Sequence, residues 1–267
     1  MRFKIGLAQL RLSPDPKKNL AAAGEAAKTA GVSGVSLLVF PEMFLQGLDM
    51  EALAGTAEPP EGPLVRAMGD LAVKEGINLV FGFAERGAGG KMYNSAAVVE
   101  RSTGKAHVYR KVHLFGKEGL YVEPGGDYPV FDLDVGRVGV LICFDSEFPE
   151  VARTLALKGA QILICPTANM VPFEPYQEVY MRARAMENHV HTAVCNTVGA
   201  SGEYKFFGRS GVRDPLGRTI LDLGYEECVG FAWVDLAANE ASRDGLDYLA
   251  KRRPETYGAL VEKNPGR

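Results

Sequence analysis

Short apolar runs separated by polar punctuation run the length of this chain. Residues 1–10 read as a buried strand, followed by a proline-rich turn at Ser13-Pro14-Asp15-Pro16. Residues 19–30 are alanine-rich with apolar positions at helical spacing, and 36–40 return to the unbroken apolar run of a buried strand. The pattern predicts a helix over 63–75 and a strand over 77–83. Residues 96–99 and 106–109 predict a hairpin around Ser102-Thr103-Gly104. The segments 138–142, 149–158 and 161–165 predict a strand–helix–strand unit. A second strong helix is expected over 176–188, with a strand over 190–195. Residues 210–212, 219–223 and 229–235 predict a terminal β-meander around the turn Asp214-Pro215-Leu216-Gly217.

Hairpins interleaved with strand–helix–strand units imply an α/β protein of layered sheets with helices on their outer faces. At 267 residues the chain fits one large domain or two small ones, and no repeat or low-complexity linker divides it. Pattern alone leaves open whether two β-rich halves pack into a single sandwich. The 46% hydrophobic and 24% charged fractions allow an independent core. A net charge of −3 argues against a broad nucleic-acid surface, so a small-molecule substrate fits better. The N-terminal apolar run is too short for an export signal, and no stretch approaches the roughly 18 apolar residues of a membrane span. The expectation is a cytoplasmic protein without membrane contact. Cys143, Cys165, Cys195 and Cys228 form no C-x-x-C pair, which predicts reduced thiols rather than a disulfide framework or a zinc ribbon.

Three residues at strand ends carry candidate chemistry. Cys143 ends the apolar run Val138-Gly139-Val140-Leu141-Ile142 just before a helix-like stretch. Glu42 ends the run from Val35 to Pro41, and Lys111 lies in Tyr109-Arg110-Lys111-Val112-His113-Leu114-Phe115. A nucleophile, a base and a cation so placed are what acyl transfer requires. Each also has a plainer reading. A lone cysteine is commonly a small core residue, a glutamate past a strand is commonly solvated, and Lys111 beside Arg110 could be an exposed basic pair. Against this, a thiol ahead of a helix can be held as thiolate by N–H groups or a nearby cation. The neighbours Asp145 and Glu147 oppose that effect and are expected to turn away into structural pairs. Apolar residues flanking Glu42 suggest a partly desolvated carboxylate suited to general-base work. A buried Lys111 would need carboxylates, with Glu42 and Glu118 the candidates.

At these residues the chain resembles the nitrilase, or carbon–nitrogen hydrolase, superfamily. The resemblance also takes in Tyr93-Asn94-Ser95, Glu123-Pro124-Gly125, the run from Arg153 to Ala160, the run from Arg182 to Asn188, Asp214-Pro215-Leu216-Gly217 and the run from Asp247 to Arg253. It thus covers nearly the whole chain. It implies a four-layer α-β-β-α sandwich and a single carbon–nitrogen hydrolase domain over 1–267. It also implies a Glu42–Lys111–Cys143 triad, with Glu118, seven residues after the lysine, as a further site residue. The backbone N–H of Phe144 would assist Lys111 at the oxyanion. The segment beginning Cys143-Phe144-Asp145 looks most like aliphatic-amidase and ω-amidase-like members, whereas nitrilases proper usually carry Cys-Trp-Glu.

The reading from sequence is therefore hydrolysis of a small non-peptide amide to acid and ammonia through a cysteine thioester, with no cofactor and no metal. N-carbamoyl or nitrile hydrolysis at the same site are alternatives, and a catalytically silent binding protein on the same fold is a reading of a different class. A homodimer or higher homo-oligomer is implied by the resemblance. Asn169 and Tyr176 are candidate pocket residues. His113 is the alternative partner of Cys143, expected instead to support the local fold. His189 and His191 are placed on one strand as core or interface residues, and Cys165, Cys195 and Cys228 as packing residues. The helix around Arg182, Arg184 and Glu187 could present a solvated charged face, although its counterpart in the superfamily packs structurally.

Overall fold

A computed structural model describes residues 1–262. In chain order its strands are β1 (Arg2–Gln9), β2 (Leu37–Val39), β3 (Asn78–Arg86), β4 (Met92–Val99), β5 (Ala106–Arg110), β6 (Val130–Leu133), β7 (Gly136–Val140), β8 (Ile162–Thr167), β9 (His191–Asn196), β10 (Val198–Ser201), β11 (Tyr204–Phe207), β12 (Gly211–Arg213), β13 (Thr219–Asp222) and β14 (Cys228–Asp235). The α-helices are α1 (Pro16–Val32), α2 (Leu53–Thr56), α3 (Pro63–Glu75), α4 (Pro149–Leu157), α5 (Glu174–Asn188) and α6 (Ala237–Ala241). One sheet runs β14-β1-β2-β3-β4-β5 and the other β13-β12-β9-β8-β7-β6. Each has a parallel centre, β1-β2-β3 in the first and β7-β8-β9 in the second, flanked by antiparallel strands.

The two sheets face each other across an apolar layer. Ile5, Leu7, Val39 and Val80 of the first meet Val138, Val140, Ile162 and Ile164 of the second. Helices cover both outer faces. Ala23, Ala26, Ala27 and Ala30 give α1 a flat inner side that packs with Val65, Met68 and Ala72 of α3 over the first sheet. Val151 and Leu155 of α4, with Met181 of α5, cover the second. The expected α-β-β-α sandwich is therefore the fold. The continuous apolar runs of β2 and β8 follow from burial on both faces, as parallel central strands require. Among the described residues no helix is long and apolar enough to cross a membrane.

Local chemistry sets the helix ends. Asp15 caps α1 by accepting a hydrogen bond from the Lys17 N–H at 3.0 Å, and Pro16 takes the first helical position. Two expectations are corrected. The terminal meander does not form as such: β12 and β13 pair, but β14 leaves the second sheet and lies antiparallel along all of β1. His189 is not on a strand. It closes α5 in a left-handed conformation, two residues before its strand begins, and stacks on Tyr248. Burial lowers the pKa of both His189 and His191. They hydrogen-bond Ser242 and Asn239, pinning the C-terminal segment to the sandwich. Strand β6 and the hairpin β10–β11 are additions that the apolar pattern did not mark.

Candidate active site

The candidate residues emerge at the C-terminal ends of strands of both sheets, which meet where the Ala168 N–H after β8 reaches Glu42 after β2. Such ends are where open α/β sheets leave a crevice. Glu42 follows β2, Lys111 follows β5, Cys143 follows β7, and Asn169 follows β8.

Glu42 and Lys111 are buried, at 3% and 1% exposure. The Lys111 ammonium donates to Glu42 Oε1 at 2.8 Å and to both carboxylate oxygens of Glu118, at 3.0 and 2.8 Å. Asn94 Nδ2 bridges the same two carboxylates, at 2.7 Å to Glu42 and 3.1 Å to Glu118. Glu42 Oε2 accepts one further bond, from the Ala168 N–H at 2.9 Å across the sheet interface. Burial disfavours the Lys111 charge more than any single neighbour favours it. Glu42 and Glu118 nevertheless hold its pKa well above the ordinary lysine value. The expected carboxylate pairing of Lys111 is present.

Backbone contacts set these positions. A β-carbon at Gly82 would collide with the Met43 nitrogen and the Glu42 backbone, so β3 lets the turn after β2 lie directly against it. Met43 itself turns with φ 52°. Gly125 plays the same part at Lys111. Its N–H donates to the Lys111 carbonyl at 2.8 Å, and a side chain there would strike the Arg110 carbonyl. The Glu123-Pro124-Gly125 motif thus has a packing reason.

Cys143 begins a short 3₁₀ turn, Cys143–Glu147, with φ 46°, a left-handed conformation costing a non-glycine residue about 1–3 kcal/mol. The turn is braced on two sides. Asp145 is fully buried and accepts from Tyr109 Oη, from the Ile142 N–H, and from both the backbone N–H and the ring Nδ1 of His113. Arg184, buried on α5, donates to the Ser146 and Glu147 carbonyls at 3.0 and 2.9 Å. Asp145 is therefore structural, as expected. Glu147 makes no ion pair within 4 Å among the described residues, and partial burial raises its pKa. His113, stacked on Phe148 at 3.8 Å and bound to Asp145, supports this turn. Arg184 shows that the charged α5 segment is no solvated face.

The balance at Cys143, left open between activation by a nearby cation and opposition by carboxylates, falls to the neutral thiol. Burial and the Glu42 charge push the Cys143 thiol up to about 12, outweighing Lys111 and the Thr167 hydroxyl, which pull it down. The site already carries two carboxylates against one ammonium, so an added thiolate would be a second uncompensated negative charge. Cys143 accordingly rests as a thiol, donating to Asn169 Oδ1 at 3.3 Å.

The structure thus gathers Glu42, Lys111, Glu118, Cys143 and Asn169, with the Phe144 N–H next in the chain after the thiol. Tyr176 stands apart, 45% exposed on α5. It is linked to the site through the aromatic series Phe144–Phe115–Phe173–Tyr176, with ring centroids 5.4 to 6.4 Å apart. Asn94 was not singled out as a site residue, although it bridges both carboxylates. Cys165 and Cys195 are buried in apolar clusters, Cys228 lies on β14, and all four thiols are free. Among the described residues no group of three or more His, Cys, Asp or Glu side chains is disposed to hold a metal ion.

The carbon–nitrogen hydrolase family profile matches residues 4–244. The chain belongs to that family. Carbon–nitrogen hydrolases similar to it include a nitrilase of Pyrococcus abyssi, 38% identical over 95% of this chain and 99% of the relative. An (R)-stereoselective amidase of a Pseudomonas species is 36% identical over 99% and 97%. Among solved structures, a variant of the nitrilase-superfamily amidase from Nesterenkonia sp. AN1 superposes with a TM-score of 0.84. The two are 29% identical over 98% of this chain and 100% of that one, and in that structure acrylamide has added to the active-site cysteine. The nitrilase-superfamily resemblance is borne out, and the protein is a hydrolase of carbon–nitrogen bonds.

Proposed function

We propose that this protein hydrolyses a small non-peptide amide to a carboxylic acid and ammonia through a thioester on Cys143. The observation that carries the reading is the buried Lys111 ammonium held between Glu42 and Glu118 beside a neutral thiol. Glu42 Oε2 accepts one hydrogen bond and keeps a lone pair for the Cys143 proton. Moving that proton to Glu42 as sulfur attacks leaves the net charge of the site unchanged, which a free thiolate would not. The carbonyl π electrons pass to oxygen, and Lys111 with the Phe144 N–H stabilises the oxyanion. Collapse breaks the carbon–nitrogen bond as Glu42 returns its proton to nitrogen, and ammonia leaves. Glu42 then takes a proton from water, whose oxygen attacks the thioester. The second collapse releases the acid and a thiolate, which is reprotonated from Glu42. The amidase relatives and the acrylamide adduct at the cysteine of the Nesterenkonia amidase support this assignment.

Phe144-Asp145 in place of Trp-Glu favours amides over nitriles, while the name of the Pyrococcus relative favours nitriles. The comparison of kcat/KM for propionamide and propionitrile decides between them. The amide is expected to be the faster substrate, and a nitrile preference overturns the proposed reaction.

Glu118 is proposed to share the Lys111 charge so that Glu42 remains free to exchange protons. Each Glu118 oxygen accepts two donors, Lys111 with Asn94 on one and Lys111 with the Phe115 N–H on the other. Either orientation of a glutamine amide therefore sets N–H against N–H. Glu118→Gln is expected to lower kcat by roughly 10²-fold. It should also remove about 1–3 kcal/mol of stability, seen in urea unfolding. Wild-type kcat and KM from pH 6 to 9 in this variant reduce Glu118 to a structural residue.

A small-molecule amide is the proposed ligand, in a cytoplasmic protein that pairs with itself. Exposed Leu157 on α4 with Val179 and Met186 on α5 supports a homodimer through the outer helices.

A further inference from the structure

Asn169 and Gln177 form a chain of amides whose direction is set at its far end. The carbonyls of Gly208 and Arg209 can only accept hydrogen bonds. Both face Gln177 Nε2, at 3.3 and 2.9 Å, so that end of the amide must be the donor. Gln177 therefore presents Oε1 to Asn169, which meets it with Nδ2 at 3.0 Å. Asn169 in turn has only its carbonyl oxygen to offer Cys143. The backbone of Asn169 is locked as well, since Asn196 Oδ1 accepts its N–H at 2.9 Å and Asn196 Nδ2 donates to its carbonyl at 3.2 Å. Gln177 is 5% exposed, so solvent does not compete for this arrangement.

The result is a fixed acceptor at the nucleophile. In the resting site it takes the S–H. Once that proton has moved to Glu42, Oδ1 loses its donor and faces the lone pairs of sulfur, which is unfavourable unless a new N–H replaces the lost one. An amide supplies it. The leaving nitrogen is bonded to the same carbon as the incoming sulfur, and it must also lie near Glu42, from which it collects a proton. Asn169 is adjacent to Ala168, whose N–H is bound to Glu42 Oε2, so Glu42 and Asn169 flank one place.

We propose that Asn169 Oδ1 accepts a hydrogen bond from the substrate's leaving N–H, and that Gln177 is the positioning residue that keeps this acceptor turned toward Cys143. This rests on the assignment of Cys143 as nucleophile. It makes the site selective for substrates whose leaving group carries an N–H, amides above esters with the same acyl group.

The test compares propionamide with p-nitrophenyl propionate, which has no N–H on its leaving group. Gln177→Met fills the same space but releases the Asn169 amide. It is expected to lower the amide-to-ester ratio of kcat/KM by about tenfold, the size of one buried hydrogen bond left unmade. Asn169→Ala removes the acceptor itself and decides the question if Gln177→Met does not fold. Equal loss on both substrates in Gln177→Met or Asn169→Ala overturns the proposal and leaves Cys143 untouched. Retained hydrolysis in Cys143→Ala instead overturns the assignment on which it rests.

Discussion

Cys143→Ala is expected to abolish ammonia release while leaving the protein folded. The covalent route has no second nucleophile, because Cys165 and Cys195 are sealed in apolar clusters. Alanine has no harder task than cysteine in the left-handed conformation at this position, and the bracing by Asp145 and Arg184 uses backbone and side-chain groups that remain. The thermal midpoint should therefore move by only a few degrees. Turnover above about one part in a hundred of wild type sinks the assignment. Labelling gives an independent check. A thiol pushed up to about 12 is ionised in only a minute fraction at neutral pH. Below that pKa the thiolate fraction grows roughly tenfold per pH unit, so iodoacetamide should label Cys143 at a rate rising in that proportion between pH 7 and 9. A rate already flat at pH 7 indicates a thiolate and overturns the neutral resting state.

Lys111→Met should produce an equally large loss with a different signature. Methionine follows the lysine stem as far as its ε-carbon, but the ammonium bound by Glu42 and Glu118 is gone. The buried carboxylate of Glu42 and the partly buried one of Glu118 then face each other with Asn94 Nδ2 as the donor they share. Breaking a buried pair by removing one partner costs about 3–5 kcal/mol, to be read as a lowered urea midpoint. Loss of an oxyanion donor should lower kcat by roughly 10²–10³-fold. Activity within tenfold of wild type removes Lys111 from the proposed mechanism. The two variants separate cleanly: one loses chemistry alone, the other chemistry and stability together.

Much of this was legible in the residues before the structure. Glu42 and Cys143 each end an apolar run, and a run's end is a local property that one sequence displays. The layered fold follows from the mixture of periodicities for the same reason. What escaped depends on partners far along the chain. Asn94 sits in an ordinary strand segment, and only the pairing of β3 with β4 and the approach of residues 42 and 118 make it a bridge. The charge state of Cys143 was left open by its strand-end position, because the sum of two nearby carboxylates and burial decides the balance. Strand β14 was placed beside its sequence neighbours, but its complement was β1, more than two hundred residues earlier. The structural role of the Arg184 helix came only from the resemblance, because the partners of Arg184 are carbonyls, which sequence composition does not reveal.

That late strand has a consequence for how a working molecule comes into being. Glu42, Lys111 and Cys143 have all left the ribosome well before β14, yet β1 remains an unpaired edge until residues 228–235 arrive. An edge of eight residues with its amide groups open invites the wrong neighbour. The closing strand must also reach back more than two hundred residues, a non-local pairing of the kind that slows folding. A chain halted before residue 228 would hold every proposed participant in the chemistry and still lack the strand that closes its first sheet. Completion of the first sheet around this site therefore waits on residues 228–235, when β14 fastens to β1.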